Sequence, residues 1–186
     1  MNTPLTRLLD FVFAITGLCL LWPVMLVVYL VGRMDSGSPI FSQTRVGKEG
    51  KAFTLYKFRT MVVSTQSVAT HMVDAQSVTK LGSVLRKTKL DELPQLVNVL
   101  RGEMSFVGPR PCLFNQEELI EERRELGVDR VLPGITGLAQ VNGIDMSEPK
   151  KLAQVDARMI SNHSLSQYFR LIIATAIGKG AGDRIR

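Results

Sequence analysis

Adjacent carboxylates and a nearby arginine suggest phosphate chemistry in the segment LDELPQLVNVLRGEMSFVGPRP, residues 90–111. Asp91 and Glu92 begin the segment, and Arg110 lies near its end between two prolines that each restrict the backbone. Two carboxylates can bind a divalent metal, and a rigidly held guanidinium can bind phosphate oxygens. The alternative is a purely structural role, because an Asp–Glu pair at a helix start commonly serves as a cap and a dipole-complementing charge.

A short helix is expected to carry the two acids. Asp91 is a preferred N-cap type, and Pro94 is tolerated in a first helical turn. The residues with helical apolar spacing are Leu90, Leu93, Val97 and Leu100. Such a helix would place both carboxylates at its anion-attracting end.

Basic residues on two preceding elements extend this pattern. Residues 52–61 alternate as a strand that follows a charged hairpin turn at 45–51, and Lys57 and Arg59 share one face of that strand. That face would meet either phosphates or solvent. Residues 80–89 form a predicted helix, whose Arg86 brings positive charge towards Asp91.

Composition favours one basic domain with anionic partners. The chain has 186 residues, a net charge of +6 and a pI near 9.6. Phosphates, nucleotides and an anionic membrane surface fit this charge. Nucleic acid is a less favoured partner, because aromatic residues make up only 6% of the chain and no nucleic-acid recognition motif is recognisable. The two cysteines have no metal-ligand spacing and do not suggest a disulfide framework.

Residues 11–32 form an uncharged apolar segment long enough to enter a bilayer. Pro23 lies near its middle, where a proline kinks or breaks a helix. The segment is therefore either a kinked membrane span or a helix–break–helix that enters and leaves by one face. Arginines at both ends give no orientation contrast, and sequence physics alone favours the ordinary span.

The second half of the chain alternates helices with glycine-rich turns. Residues 114–126 and 149–160 are predicted helices, and 165–177 form an amphipathic helix suited to a membrane surface. Residues 132–137 are predicted to be a tight turn whose N–H groups could bind an anion. Residues 138–143 are expected to form a short strand and turn.

Three motifs, taken together, resemble the catalytic core of the bacterial monotopic phosphoglycosyl transferases, also called the bacterial sugar transferase family. They are FSQTRVGKEGKAFTLYKFRTM, LDELPQLVNVLRGEMSFVGPRP and LPGITGLAQVNG, in the family's order and spacing. The resemblance covers most of the chain. It implies an α/β fold: a small mixed α+β domain at a membrane, with surface amphipathic helices.

The resemblance also implies an activity. Such an enzyme moves a phospho-sugar from a UDP-sugar to a polyprenol (undecaprenyl) phosphate and releases UMP, as a first membrane step of glycoconjugate synthesis. Asp91 matches the family's nucleophile, and Asp91 with Glu92 matches its magnesium site. The residues expected to bind phosphate or substrate are Lys57, Arg59, Arg86, Arg110, Gln140 and Asp156.

Family resemblance reverses the preference for a membrane span. It implies a re-entrant helix at residues 1–35, broken at Pro23, and a catalytic domain at 36–186 on the cytoplasmic face of the bacterial inner membrane. Membrane lipid is then a partner, and self-association into a homo-oligomer is left open.

Two positions depart from the family pattern, Ile144-Asp145 after the third motif and Met159 in the later helix. Both fall in a region expected to help select the sugar. Because small members commonly use N-acetylated amino sugars, such a donor is expected here. The competing functions are a membrane-anchored basic binding module, for which Asp91 would be dispensable, and a metal-dependent phosphohydrolase, which would need no polyprenol.

Overall fold

A single long helix, α1 (Pro4–Ser36), begins the chain. Thr3 caps it by accepting a hydrogen bond from the Thr6 N–H, and Gly37 ends it in the left-handed conformation at φ 72°. The structure, a computed structural model, describes residues 1, 3–65, 75–178 and 180. Within that part of the chain, α1 is the one helix long and apolar enough to cross a membrane.

One stripe of α1 packs against the folded domain along the whole helix. Thr6, Asp10 and Ala14 are buried in its first half, and Val28 and Gly32 in its second half. The other faces carry exposed apolar side chains. Helical structure continues through Pro23, so the expected division into two helices is not seen.

A β-hairpin follows α1 and confirms the predicted charged turn. Strand β1 (Ile40–Val46) pairs antiparallel with β2 (Ala52–Phe58), and a 3₁₀ turn at Lys48–Gly50 joins them. Gly50 has a φ of 74°, a conformation that costs glycine little.

The acids predicted to start a helix lie in a tighter turn before it. Helix α2 (Lys80–Thr88) is followed by its C-cap residue Lys89, whose φ of 60° leads the chain into a 3₁₀ turn at Leu90–Glu92. Helix α3 (Gln95–Leu100) begins only after Pro94. The prediction that Asp91 is the N-cap is therefore wrong, because Pro94 holds that position.

Two short parallel strands join segments that are distant in the sequence. Strand β3 (Ser105–Val107) pairs with β4 (Gly134–Thr136), and helix α4 (Glu117–Glu125) lies between them in sequence. The glycine-rich segment predicted as a turn thus contains strand β4. The sequence pattern did not indicate this strand because it forms by pairing with β3, which is distant in the sequence. The strand predicted next is instead helix α5 (Leu138–Val141).

Two predicted helices complete the domain, α6 (Pro149–Ser161) and α7 (Leu165–Ala176). Helix α6 packs against α4 and α5, and α7 packs against the β3–β4 pair. The Tyr168 and Leu171 side chains of α7 join Val107 and Met159 in a buried cluster. The mixed α/β class expected from the sequence is confirmed.

Candidate active site

The 3₁₀ turn at Leu90–Glu92 holds a carboxyl group away from water. Asp91 is only 7% exposed, and Glu92 lies next to it with a partly exposed side chain. Burial, reinforced by the negative charge of Glu92, raises the pKa of Asp91 to about 6 from a usual value of 3.8. A carboxyl group in this position keeps its proton to a higher pH than an exposed one, and nearby positive charge stabilises its ionised form.

Three of the predicted cations supply that charge from three different elements. Lys57 lies on β2, Arg86 in the last turn of α2, and Arg110 in the loop after β3. All three act to lower the pKa of Asp91 against the larger effect of burial. The Arg110 Nη1 lies 3.4 Å from the Glu92 Oε1. The structure therefore brings together five residues predicted for the site.

Arg110 belongs to a loop, residues 108–112, which we call the Arg110 loop. Gly108 and Gly134 meet with their backbones in contact, and a Cβ added to Gly108 would lie 2.5 Å from the Leu132 carbonyl oxygen. Only glycine allows this approach. The third sequence motif thus packs directly beneath the loop that ends the second.

An open cleft borders the Arg110 loop. Pro109 and Pro111 form part of its wall, and Arg124 and Asp129 contribute polar groups on another side. Because Pro109 and Pro111 flank Arg110 in the chain, the cleft is a candidate for the part of a substrate that lies beyond its phosphates.

Three predicted substrate-binding residues make their contacts elsewhere. Arg59 donates from Nε to the Ser38 carbonyl at 2.7 Å and so helps to hold the start of β1. Gln140 donates from Nε2 to the Ile135 carbonyl at 3.0 Å. Asp156 is 1% exposed and forms an ion pair with Arg123 at 2.7 Å.

A sequence profile described as Bacterial sugar transferase matches residues 1–179. The chain belongs to this family. The resemblance stated from the motifs is thereby confirmed, as is the expectation that the chain is a transferase.

Relatives from several bacteria agree with this assignment. The chain is 41% identical to the sugar transferase EpsL of Bacillus subtilis, over 92% of this chain and 85% of EpsL. It is 36% identical to the exopolysaccharide production protein PSS of Rhizobium leguminosarum bv. phaseoli, over 96% of both chains. It is 39% identical to the UDP-glucose:undecaprenyl-phosphate glucose-1-phosphate transferase of Xanthomonas campestris pv. campestris, over 90% of this chain but only 37% of that protein.

The acidic pair of this family member fits a divalent cation. Mg²⁺ is commonly held by one or two carboxylates together with substrate phosphates, so a larger cluster of protein ligands is not required. The described residues contain no group of three or more His, Cys, Asp or Glu side chains placed to hold a metal ion together. Asp91 and Glu92 offer two adjacent carboxylates whose mutual repulsion a cation would offset.

Asn98, on the fully buried face of α3, is a site-building residue that the sequence patterns did not single out. Its Oδ1 accepts from the Tyr56 N–H at 3.2 Å, and its Nδ2 donates to the Thr54 carbonyl at 2.7 Å. These bonds attach β2 to α3 beside Lys57. An amide in an otherwise apolar helical stretch was the available signal, because a buried amide needs partners.

Proposed function

We propose that the protein transfers a phospho-sugar from a UDP-sugar to polyprenol (undecaprenyl) phosphate and releases UMP. The observation that carries this proposal is the buried Asp91 beside Glu92, with Lys57, Arg86 and Arg110 acting on it from three elements. The names of family relatives support the substrates, since the Xanthomonas relative is named for transfer of glucose 1-phosphate to undecaprenyl phosphate.

Asp91 acts as the nucleophile in the first of two displacements. An oxygen of its carboxylate forms a bond to the β-phosphorus of the UDP-sugar, and the bond from that phosphorus to the bridging oxygen breaks. The bridging oxygen leaves with the electron pair as part of UMP. In the second displacement an oxygen of polyprenol phosphate attacks the same phosphorus, and Asp91 leaves as a carboxylate.

The surrounding cations offset the repulsion among these anions. Lys57, Arg86 and Arg110 can stabilise the negative charge that develops on the transferred phosphate. Asp91 and Glu92 are the groups that would hold Mg²⁺, which would supply further charge neutralisation when bound. With a pKa of about 6, Asp91 is mostly ionised at neutral pH and available to attack.

We propose that α1 enters the membrane and returns to the cytoplasmic face without carrying its two ends to opposite sides. Both halves of α1 pack on the same domain, through Asp10 and Ala14 at one end and Val28 and Gly32 at the other. A span perpendicular to the bilayer would draw that domain into the lipid. Exposed apolar residues of α7 extend the lipid-facing surface, and its Phe169 contacts Phe13 of α1.

Labelling can test this topology. Single-cysteine variants Thr3→Cys and Ser38→Cys, in a chain with Cys19 and Cys112 replaced by alanine, would be exposed to an impermeant maleimide in sealed inside-out vesicles. Both positions should react in those vesicles, while neither should react in intact spheroplasts. Labelling of one position in each preparation would establish a membrane crossing instead.

The donor is proposed to be a UDP-linked N-acetylated amino sugar. Ile144 and Asp145 depart from the family pattern and lie in the turn between α5 and α6. This turn is the region expected to help select the sugar. Ile144 packs on the buried cluster formed by α4, α5 and α6, and Asp145 accepts a hydrogen bond from the Ser147 N–H at 2.9 Å. A panel of UDP-sugars that includes glucose and galactose would identify the donor by kcat/KM.

The decisive experiment measures UMP release with Mg²⁺, with and without undecaprenyl phosphate, in the wild type and in Asp91→Asn. We expect turnover to require the lipid and to fall on the order of 10⁴-fold or more in the variant. Mass spectrometry should find a phospho-sugar on the Asp91 peptide when lipid is omitted. Glu118→Gln, a change of an exposed acid on α4, serves as the control.

Other outcomes would select a different function. Turnover that survives Asp91→Asn would remove the covalent mechanism. Lipid-independent release of sugar phosphate would identify a phosphohydrolase. A folded, membrane-bound protein that acts on no donor in the panel would favour the binding module.

A further inference from the structure

The backbone of the Arg110 loop is held at every carbonyl from residue 109 to residue 112. The Pro109 carbonyl accepts a hydrogen bond from the Gly134 N–H, and the Cys112 carbonyl accepts one from the Val46 N–H, both at 2.9 Å. These two bonds attach the ends of the segment to β4 and β1. The prolines at 109 and 111 restrict φ between those ends.

The two middle carbonyls are held by buried guanidinium groups. Arg123 donates from Nη1 to the Arg110 carbonyl at 2.8 Å, and Arg45 donates from Nη1 to the Pro111 carbonyl at 3.0 Å. Each of these arginine donors is only 6% exposed. Hydrogen bonds from an ionised donor are stronger than neutral ones, so these carbonyls are held more firmly than an ordinary loop requires.

Asp156 neutralises the buried positive charge of Arg123. Its Oδ2 accepts from Arg123 Nη2 at 2.7 Å and from Arg123 Nε at 3.1 Å, while Nη1 is directed to the loop. Asp156 itself is 1% exposed. A buried ion pair contributes little net stability compared with an apolar pair, so stability alone does not account for this one. The Arg123 hydrogen bond to the loop indicates a geometric role.

We propose that Arg123, oriented by Asp156, and Arg45 are positioning residues that fix the backbone of residues 109–112 and thereby hold the Arg110 side chain at the acidic pair. Their catalytic effect rests on the proposed function, since Arg110 is the group that meets phosphate. The assignment also changes the role expected for Asp156 from substrate binding to orientation of a second residue.

The competing explanation is that Arg123 and Asp156 only join α4 to α6. The chain offers a matched control for it, because Glu122 of α4 and Lys150 of α6 form a second ion pair between the same helices at 3.8 Å. That pair is partly exposed. Changes there alter the same helix contact while leaving the Arg123 hydrogen bond to the loop in place.

The test variant replaces both buried partners, Arg123→Met with Asp156→Leu, so that no unpaired charge is left in the interior. The control is Glu122→Gln with Lys150→Gln. Both proteins would be compared with the wild type by thermal unfolding, by residue-resolved hydrogen exchange and by UMP release. The two double variants would also be combined with Arg110→Ala.

We expect faster exchange in the test variant at the Gly134 and Val46 N–H groups, which donate to the Pro109 and Cys112 carbonyls of the loop. The Gly108 N–H should be unchanged because it bonds to the Thr136 carbonyl. A small displacement of a catalytic group can reduce rate by about 100-fold, so kcat/KM should fall about 10- to 100-fold, mainly in kcat. In the Arg110→Ala background the same change should have no further effect.

Two results would overturn the proposal. The first is unchanged exchange at the Gly134 and Val46 N–H groups together with unchanged kcat in the folded test variant. The second is a loss of activity that adds fully to that of Arg110→Ala, as a general structural defect would. If the wild type releases no UMP, the proposed function fails separately, and the exchange measurement still tests the positioning role.

Discussion

Asp91 and Asp156 are both buried near arginines, but the two sites are built differently. Asp156 is closed off by one arginine, with two hydrogen bonds from Arg123. Asp91 is influenced by three cations on separate elements, of which Arg110 contacts Glu92 at the longer distance of 3.4 Å. Burial is the leading cause that raises the pKa of both acids.

The difference separates a structural ion pair from a site that can accept an anion. Around Asp156 the positive charge is already matched by short hydrogen bonds inside the protein. Around Asp91 the positive charge is distributed over β2, α2 and the Arg110 loop, and one of these cations, Arg110, also contacts the partly exposed acid Glu92. Several cations that converge from separate elements can together bind the oxygens of a phosphate.

The largest stability effect is expected from breaking the closed pair. Asp156→Ala would leave Arg123 buried without its carboxylate, which typically costs about 3–5 kcal/mol. Chemical unfolding in detergent or nanodiscs would measure this loss. The exposed pair provides the control, since Glu148→Ala, which removes a carboxylate from Lys151, should change stability by less than about 1 kcal/mol. Equal losses in the two variants would contradict the comparison.

Arg110→Ala should show the opposite profile, with a large effect on rate and a small one on stability. Loss of one preorganised charge donor typically reduces kcat by about 10²–10³-fold. Steady-state UMP release would measure it, and Arg110→Lys should recover only part of the rate because a lysine cannot reproduce the guanidinium geometry. A variant that keeps wild-type kcat would remove Arg110 from the site.

The raised pKa of Asp91 predicts a pH-dependent cost to stability. Its folded-state pKa of about 6 exceeds the usual 3.8, so the folded protein retains a proton that the unfolded chain has already lost. Stability from this group is therefore greatest below pH 4, declines between pH 4 and 6, and reaches its lowest level above pH 6. Over this pH range the free energy of unfolding falls by a total on the order of 1–3 kcal/mol.

Asp91→Asn removes that cost and gives the measurement. In EDTA, the variant should unfold at a higher temperature than the wild type at pH 8, and the difference should shrink towards pH 4. Adding Mg²⁺ at pH 8 should stabilise the wild type more than the variant. A difference in unfolding temperature that does not change with pH would show that burial does not raise the pKa of the Asp91 carboxyl group.

A smaller effect is expected at the cleft beside the Arg110 loop. If the donor's nucleoside lies there, Arg124→Ala should raise the KM for the UDP-sugar by roughly 10-fold with little change in kcat, because it removes ground-state binding. Arg130→Ala, at an exposed arginine in the 3₁₀ turn at Val128–Arg130 after α4, is the matched control. Equal KM values in both variants would place the nucleoside elsewhere.

Local patterns predicted the elements near the site better than their contacts. The β1–β2 hairpin and helices α2, α4, α6 and α7 follow from turn residues and apolar spacing. Strand β4 was missed because its conformation depends on pairing with β3, which is distant in the sequence. The adjacent α5 is too short for a periodic signal.

The sequence by itself determined the chemistry available to this protein. Its motifs identified the family, the acidic pair at Asp91 and Glu92, and Arg110 between its prolines. Only the tertiary structure decided which cations act on Asp91, and that Asp156 instead orients Arg123 towards the Arg110 loop. The physical reason is that residue types and local spacing define what a side chain can do, whereas long-range packing determines burial and partners, and these set its charge state and its role.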